Sequence, residues 1–551
     1  MNTRHVTSLV AAGAAIVMLL SGCGSTGTSN SSNASDSNII SVYGSEPAHP
    51  LFPGNTTEAG GGKVVDQLFA GLVTYDAKGG IHNEVADSIT SSDNATHYVI
   101  KLKSGWKFTD GTPVTAHSFV NAWNYTANSA NKQASASFFS TIEGYDDLQK
   151  PDVDPKATLS GLTVVDDNTI DVKLSQPDSA FPVKAGSHAY MPLPESAFKD
   201  PKKFGQHPVS NGPYKFVSWQ HNHSIEMVKN PDYKGNRTPK NDGVTFKVYT
   251  KDDAAYADIQ SGALDVMESV PASATKTFET DETVQAYNKA GSVIQQFTIP
   301  SSLKHFEAGT EEGTLRRQAI SMAINRENIC DKVLNGTGTP AVDFTSPLTP
   351  GYSDSLKGVG NLKYNEKKAK ELWEKANAIS PWTSDDKLTF AYNADGGHET
   401  TYTAVVNSIN NTLGSEVAAT NPYPTFNDYR TAVSDRKVQG AFRSGWQPDY
   451  PSAENYLVAN YASAAADGNG SNDGDYKNSE FDDLCSKAAA AQTTDEANKL
   501  YQQAQEVLLN DLPAVPLYYA NAYGVAATGV SGFEMNWQNL PVYENMTKSG
   551  K

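Results

Sequence analysis

Residues 98–116 read Tyr-Val-Ile-Lys-Leu-Lys-Ser-Gly-Trp-Lys-Phe-Thr-Asp-Gly-Thr-Pro-Val-Thr-Ala. The opening half alternates. Tyr98, Ile100 and Leu102 fall on one side of an extended chain and Val99, Lys101 and Lys103 on the other, the period of a half-buried strand. Ile170, Val172 and Leu174 repeat the pattern, as do Val244, Phe246 and Val248. Asp167-Asn168, between Val164-Val165 and Ile170, supplies a hairpin turn. Helical periods dominate further along. Thr493 and Glu496 form a capping box ahead of Ala497, Leu500, Tyr501, Ala504, Val507 and Leu508 on one face, and Pro513 and Pro516 stop that helix. Leu315, Ala319, Met322, Cys330 and Val333 predict a second helix, and Ala369, Leu372, Trp373 and Ala376 a third. The chain is therefore mixed α/β, with no fixed-period repeat.

The composition narrows the function classes. At 551 residues the chain has room for several domains, and 38% hydrophobic residues are too many for a disordered protein. Its 62 acidic residues against 44 basic ones give a formal charge of -18. That balance speaks against a nucleic-acid binder and against charge-driven docking on anionic lipid. Three cysteines exclude a disulfide scaffold.

Arg4 and His5 precede an apolar run from Val6 to Leu20, followed by Ser21-Gly22-Cys23. A positive start, a short apolar stretch and small residues before a cleavage point read as a secretory signal over residues 1–22. The ending resembles the lipobox of bacterial lipoproteins, which implies that Cys23 carries the lipid. Residues 23–38 are almost all Gly, Ser, Thr and Asn after the cysteine, a flexible tether. The body from Ile39 onward is expected to be soluble and extracytoplasmic.

Enzyme signatures are missing. There is no G-x-S-x-G elbow, no H-E-x-x-H and no P-loop. His221 and His223 are read as two same-side strand residues, and no metal or cofactor site is assigned. Asn469–Glu480 places oxygen side chains with EF-hand spacing around Gly474. A polar loop before a helix starting near Ser479 is the favoured reading, with calcium kept as the alternative. Cys330 and Cys485 either pair or sit as buried helix residues.

Eight segments, in order, resemble the oligopeptide/dipeptide-binding family of extracytoplasmic solute-binding proteins that serve ABC importers. They are Leu68–Leu72 (LFAGL), Trp106–Ala116, Asn211–Tyr214 (NGPY), Asn230–Tyr233 (NPDY), Ser261–Asp265 (SGALD), Arg317–Arg326, Arg443–Tyr450 (RSGWQPDY) and Pro513–Tyr519 (PAVPLYY). The resemblance covers about residues 39–540. It implies a three-domain, periplasmic-binding-protein-like clamshell with a discontinuous first domain, closing about a hinge. Domain I is expected at 39–75, 206–290 and 520–551, domain II at 76–205 and domain III at 291–519.

The same resemblance implies the ligand site. Asp449 matches the position that pairs with a peptide's α-amino group, and Arg443 an arginine used for the carboxylate. Trp446 and Tyr450 are expected as pocket wall. The loop Thr57–Gly62, with Glu58 and Ala59, is expected opposite them. Gln447 stands where enteric relatives carry a disulfide cysteine, so that disulfide is not carried over. The expected partners are an oligopeptide, an ABC permease and the membrane through the lipid anchor, with no nucleic acid; the chain is expected to act as a monomer on the outer face of the bacterial membrane, and not as an enzyme. Two alternatives stand beside this: the same scaffold holding an oligosaccharide, nickel or haem, or a secreted carboxylate-based hydrolase.

Overall fold

The computed structural model describes residues 38–414 and 416–548. The signal peptide, the lipidated Cys23 and the tether up to Ser37 lie outside the described residues. Among the described residues no helix is long and apolar enough to cross a membrane.

The alternating segments build the sheets. A four-stranded antiparallel sheet runs in the order Ala86–Ser92, His97–Leu102, Thr169–Lys173, Leu162–Asp166. Tyr98, Ile100 and Leu102 are buried as their period requires. A larger, 11-stranded sheet is organised around two long antiparallel strands, Val284–Thr298 and Ala514–Ala527. Ala441–Trp446, Leu388–Asn393 and Ala418–Tyr423 extend it beyond the first of these. Val266–Met267, Ile39–Gly44, Gly243–Val248, Ser224–Lys229 and Tyr214–Gln220 extend it beyond the second, which Gly338–Pro340 also joins.

The long pair slips register between Ala290 and Val293. Such a bulge bends the strand and leaves backbone groups unpaired. Here side chains satisfy them: Ser346 Oγ donates to Gly291 O at 2.9 Å and the Tyr456 hydroxyl to Ser292 O at 2.5 Å. A Cβ on Gly291 would lie 2.6 Å from Ala520 O, so the close approach of the strands requires glycine.

Two large apolar cores flank this pair. One gathers Ile40, Leu68, Trp123, Tyr190, Phe246 and Met546. The other gathers Phe297, Trp373, Phe390, Tyr456 and Leu508. Each fully buried large side chain contributes about 1.5–3 kcal/mol relative to exposure. The polar end of Trp123 is also satisfied, Nε1 donating to Tyr190 O at 2.9 Å.

The short sequence motifs act as fasteners between distant segments. Asn211 takes the Ala70 N–H and gives its own amide to Ala70 O, clamping NGPY to LFAGL. Gly212 packs so closely on Leu68 that a Cβ would sit 2.5 Å from its carbonyl carbon. Asp265 accepts from the backbone and hydroxyl of Ser41. Arg317, fully buried, donates to the carbonyls of Ile299, Pro300, Phe306 and Leu512. Burial, with no carboxylate in contact, lowers its guanidinium to about 10.

Three local expectations need correction. The second helix is not continuous: Glu311–Met322 ends, and the chain restarts at Arg326–Asn328 under an Asn325 cap. His221 and His223 are not strand neighbours but belong to the turn between Tyr214–Gln220 and Ser224–Lys229, where His221 is bonded to Glu46 and Gln206. Residues 59–62 are not loop but the first turn of the helix Ala59–Leu68. The third helix, Glu366–Ile379, and the long helix Thr494–Asp511, capped by Thr493 Oγ1 on Glu496 N at 3.2 Å, form as read.

Arg317→Met removes the donor to four buried carbonyls, so unfolding free energy should fall by about 3–5 kcal/mol, read as a lower denaturant midpoint. An unchanged midpoint would show that those carbonyls find other donors.

Candidate functional site

The strand Ala441–Trp446 leaves the sheet and turns through Gln447-Pro448-Asp449 before the helix Ala453–Tyr461. Pro448 cannot continue a ladder, and Ser452 caps the helix, accepting from Glu454 N at 3.2 Å. Asn455, in the first helical turn, organises the bend. Its Oδ1 accepts from Trp446 Nε1 at 2.9 Å and from Asp449 N at 3.0 Å, and its Nδ2 reaches Asp449 Oδ2 at 3.4 Å. One buried amide therefore orients both the indole and the carboxylate.

Asp449 lines a cavity of about 780 Å³ together with Glu58, Ala59, Tyr75, His188 and Trp537, among others. Burial raises its carboxyl above the usual range, and the Asn455 bond only partly offsets this. The basic side chains around the cavity are already paired. Lys63 is bonded to Glu268, Arg237 lies 3.1 Å from Glu84, His188 2.6 Å from Asp66, and His82 3.1 Å from Asp76. Burial resists charging His188, yet Asp66 outweighs it and holds the imidazole above its ordinary value. Among the described residues Asp449 makes no ion pair; its carboxylate is open to solvent at the cavity wall and takes one long amide bond from Asn455.

Glu58 and Ala59 line the same cavity as Asp449, but Glu58 is occupied. Both its oxygens accept from Gly61 N, at 3.0 and 2.9 Å, which caps the helix Ala59–Leu68.

Arg443 and Trp446 line a second cavity, of about 410 Å³. Gln447 lines both cavities, and Ser292 of the first is followed directly by Val293 of the second, so the two adjoin. The Arg443 guanidinium makes no ion pair among the described residues, and its buried Nε finds no acceptor. Burial, reinforced by this uncompensated charge, brings the His398 imidazole down to about 4. Tyr450 lines neither cavity, contrary to expectation. Its ring packs on Ala180 and Val183, its hydroxyl donates to Glu454 Oε2 at 2.5 Å, and Lys184 sits over its face.

Asn455, Tyr75 and Trp537 were missed by sequence reasoning, because a lone Asn on a helix or a distant aromatic carries no local signal. In the segment 469–480, Asp473 is held by Arg430 at 2.9 Å and Arg436 at 3.4 Å, so guanidinium groups occupy the carboxylate that a calcium loop would need. Among the described residues no group of three or more His, Cys, Asp or Glu could hold a metal. Cys330 and Cys485 are free, buried thiols, and burial pushes Cys330 up to about 12.

The relatives agree with this architecture. A family model described as bacterial extracellular solute-binding proteins, family 5, matches residues 80–468. The oligopeptide-binding protein OppA of Bacillus subtilis (strain 168) is 26% identical over 521 residues, 91% of this chain and 92% of that one. The dipeptide-binding protein DppE of the same strain is 30% identical over 452 residues, 80% and 79% of the two chains. Among solved structures, the unliganded open form of the periplasmic murein tripeptide-binding protein MppA superposes with a TM-score of 0.82 at 22% identity, covering 93% of this chain and 97% of that one. The chain belongs to family 5 of the bacterial extracellular solute-binding proteins. Its α/β fold is the multi-domain clamshell of the periplasmic peptide-binding structures, and it is a binding protein rather than an enzyme.

Asp449 is unpaired but solvent-exposed, so screening by water leaves only a small cost to the ligand-free protein. Because folding raises the Asp449 pKa, the folded state favours the protonated form; that stabilisation is present at low pH and is lost as pH rises through the folded value. Asp449→Asn should therefore raise the melting temperature of the ligand-free protein only slightly, by about 1 °C or less at pH 7, and the gain should disappear near pH 3–4. A lower melting temperature at pH 7 would show that the carboxylate is compensated.

Proposed function

We propose that the chain is a lipid-anchored receptor that captures oligopeptides outside the bacterial cell and delivers them to the permease of an ABC transporter. The observation that carries this reading is the pair of uncompensated charges. Asp449 stands on one cavity and Arg443 on the next, and a zwitterionic chain is the ligand whose two ends satisfy both. The α-ammonium meets Asp449 and the α-carboxylate meets Arg443 as a charge-assisted, fork-shaped contact. Glu58 and Ala59 form the facing wall, and Trp446 supports the Arg443 end. The similarity to OppA, an oligopeptide-binding protein, and DppE, a dipeptide-binding protein, favours the same ligand class.

In this reading domain I comprises 39–75, 206–290 and 520–551, domain II 76–205 and domain III 291–519. The bulge at Gly291-Ser292 is the hinge, since the register slip there loosens the two strands that connect the cores. Cys23 carries the lipid, residues 24–38 serve as the tether, and the receptor works as a monomer at the outer face of the membrane.

Native mass spectrometry of protein purified without denaturation tests the ligand class. A ladder of bound peptide masses is expected; a single sugar, metal or haem mass would overturn the reading.

A further inference from the structure

We infer that the second cavity receives the C-terminal residue of the peptide and selects an aromatic side chain there, with Phe426 as the residue that sets the preference. This rests on the peptide reading of the two adjoining cavities and adds a specificity to one end of it.

The charged groups lining the second cavity are Arg430, Arg443 and Asp473. Arg430 and Asp473 are paired with each other at 2.9 Å, which leaves Arg443 as the only one free to meet a carboxylate. Around it the lining is rich in rings: Phe426, Tyr429, Trp446, Tyr461 and Tyr476. The polar ends of four of these are used inside the protein. The Tyr429 hydroxyl is bonded to Arg443 O, Trp446 Nε1 to Asn455 at 2.9 Å, Tyr461 to Gln296 at 2.7 Å, and Tyr476 to Asp511 at 2.7 Å. Their donors are used, and with Tyr429, Tyr461 and Tyr476 buried, the ring surface open to a ligand is that of Trp446 and Phe426. A carboxylate with an aromatic group beside it matches one guanidinium among ring faces.

Phe426 is the exposed member. It opens the helix Phe426–Ser434 and is held in place by its N–H on Asp395 Oδ2 at 3.0 Å. Its side chain is 51% exposed, with the ring centroid 6.4 Å from that of Tyr429. A second ring entering the 410 Å³ cavity buries this face and gains the offset or edge-on geometry that aromatic pairs prefer. An aliphatic side chain gains area only, and alanine gains little of either.

Calorimetric titration of the full-length chain in detergent with Ala-Ala-Ala-Phe, Ala-Ala-Phe-Ala and Ala-Ala-Ala-Ala tests the assignment. The C-terminal phenylalanine should improve affinity by about tenfold or more over alanine, and the inner phenylalanine should not match it. Phe426→Ala should reduce the preference to about threefold or less without moving the thermal midpoint. Equal affinity for all three peptides, an equal gain from the inner ring, or an unchanged preference in Phe426→Ala would overturn the inference while leaving peptide capture standing. Failure of every peptide to bind would remove the peptide reading and this inference with it.

Discussion

The pairing of Val284–Thr298 with Ala514–Ala527 is the constraint on which the rest depends. These two strands supply residues to both large cores, Ile294, Phe297, Val515 and Tyr519 to one and Ala526 and Ala527 to the other. Their shared bulge is stitched by Ser346 and Tyr456 rather than by the ladder. The neighbouring strand Ala441–Trp446 takes its register from Val284–Thr298, with Arg443 opposite Phe297. That register fixes where Arg443, Trp446 and the following turn emerge. Backbone pairing thus decides where the two charges of the candidate site stand.

Electrostatics then separates structural charge from functional charge. Most charged groups around the first cavity are closed into pairs, and Arg317 and Arg326 are buried as donors to backbone carbonyls. Such groups hold segments together and have nothing left for a ligand. Arg443 is half-buried and Asp449 stands exposed on the cavity wall, and among the described residues neither has a counter-ion. Unpaired charges of opposite sign on adjoining cavities suit a ligand that carries both complements, as the proposed peptide does.

The sequence disclosed the fold more readily than the site. Period-two patterns at Tyr98–Leu102 and Ile170–Leu174 and the capped helix after Thr493 were legible because local propensity and burial agree there. The eight motifs located the family, and the structure explains why: Asn211, Gly212, Asp265 and Arg317 fasten distant segments, so they report architecture rather than ligand. The site was half legible. Asp449 and Arg443 could be named from one motif, but their placement on separate cavities depends on strand register. Tyr450, one residue from Asp449, turns into the apolar contact with Ala180 and Val183, which adjacency in sequence could not reveal. Asn455, the amide that positions Asp449, carries no signature at all.

The central claim is that Asp449 meets the α-ammonium of a bound peptide. The most direct measurement is a double-mutant cycle by calorimetry, with tetra-alanine and its N-acetyl form on the parent protein and on Asp449→Ala. Acetylation should weaken binding to the parent by about 2–5 kcal/mol, whereas Asp449→Ala should bind both peptides alike, giving a coupling energy close to the whole effect. A parent protein indifferent to acetylation, or a variant that still discriminates as strongly, would contradict the account.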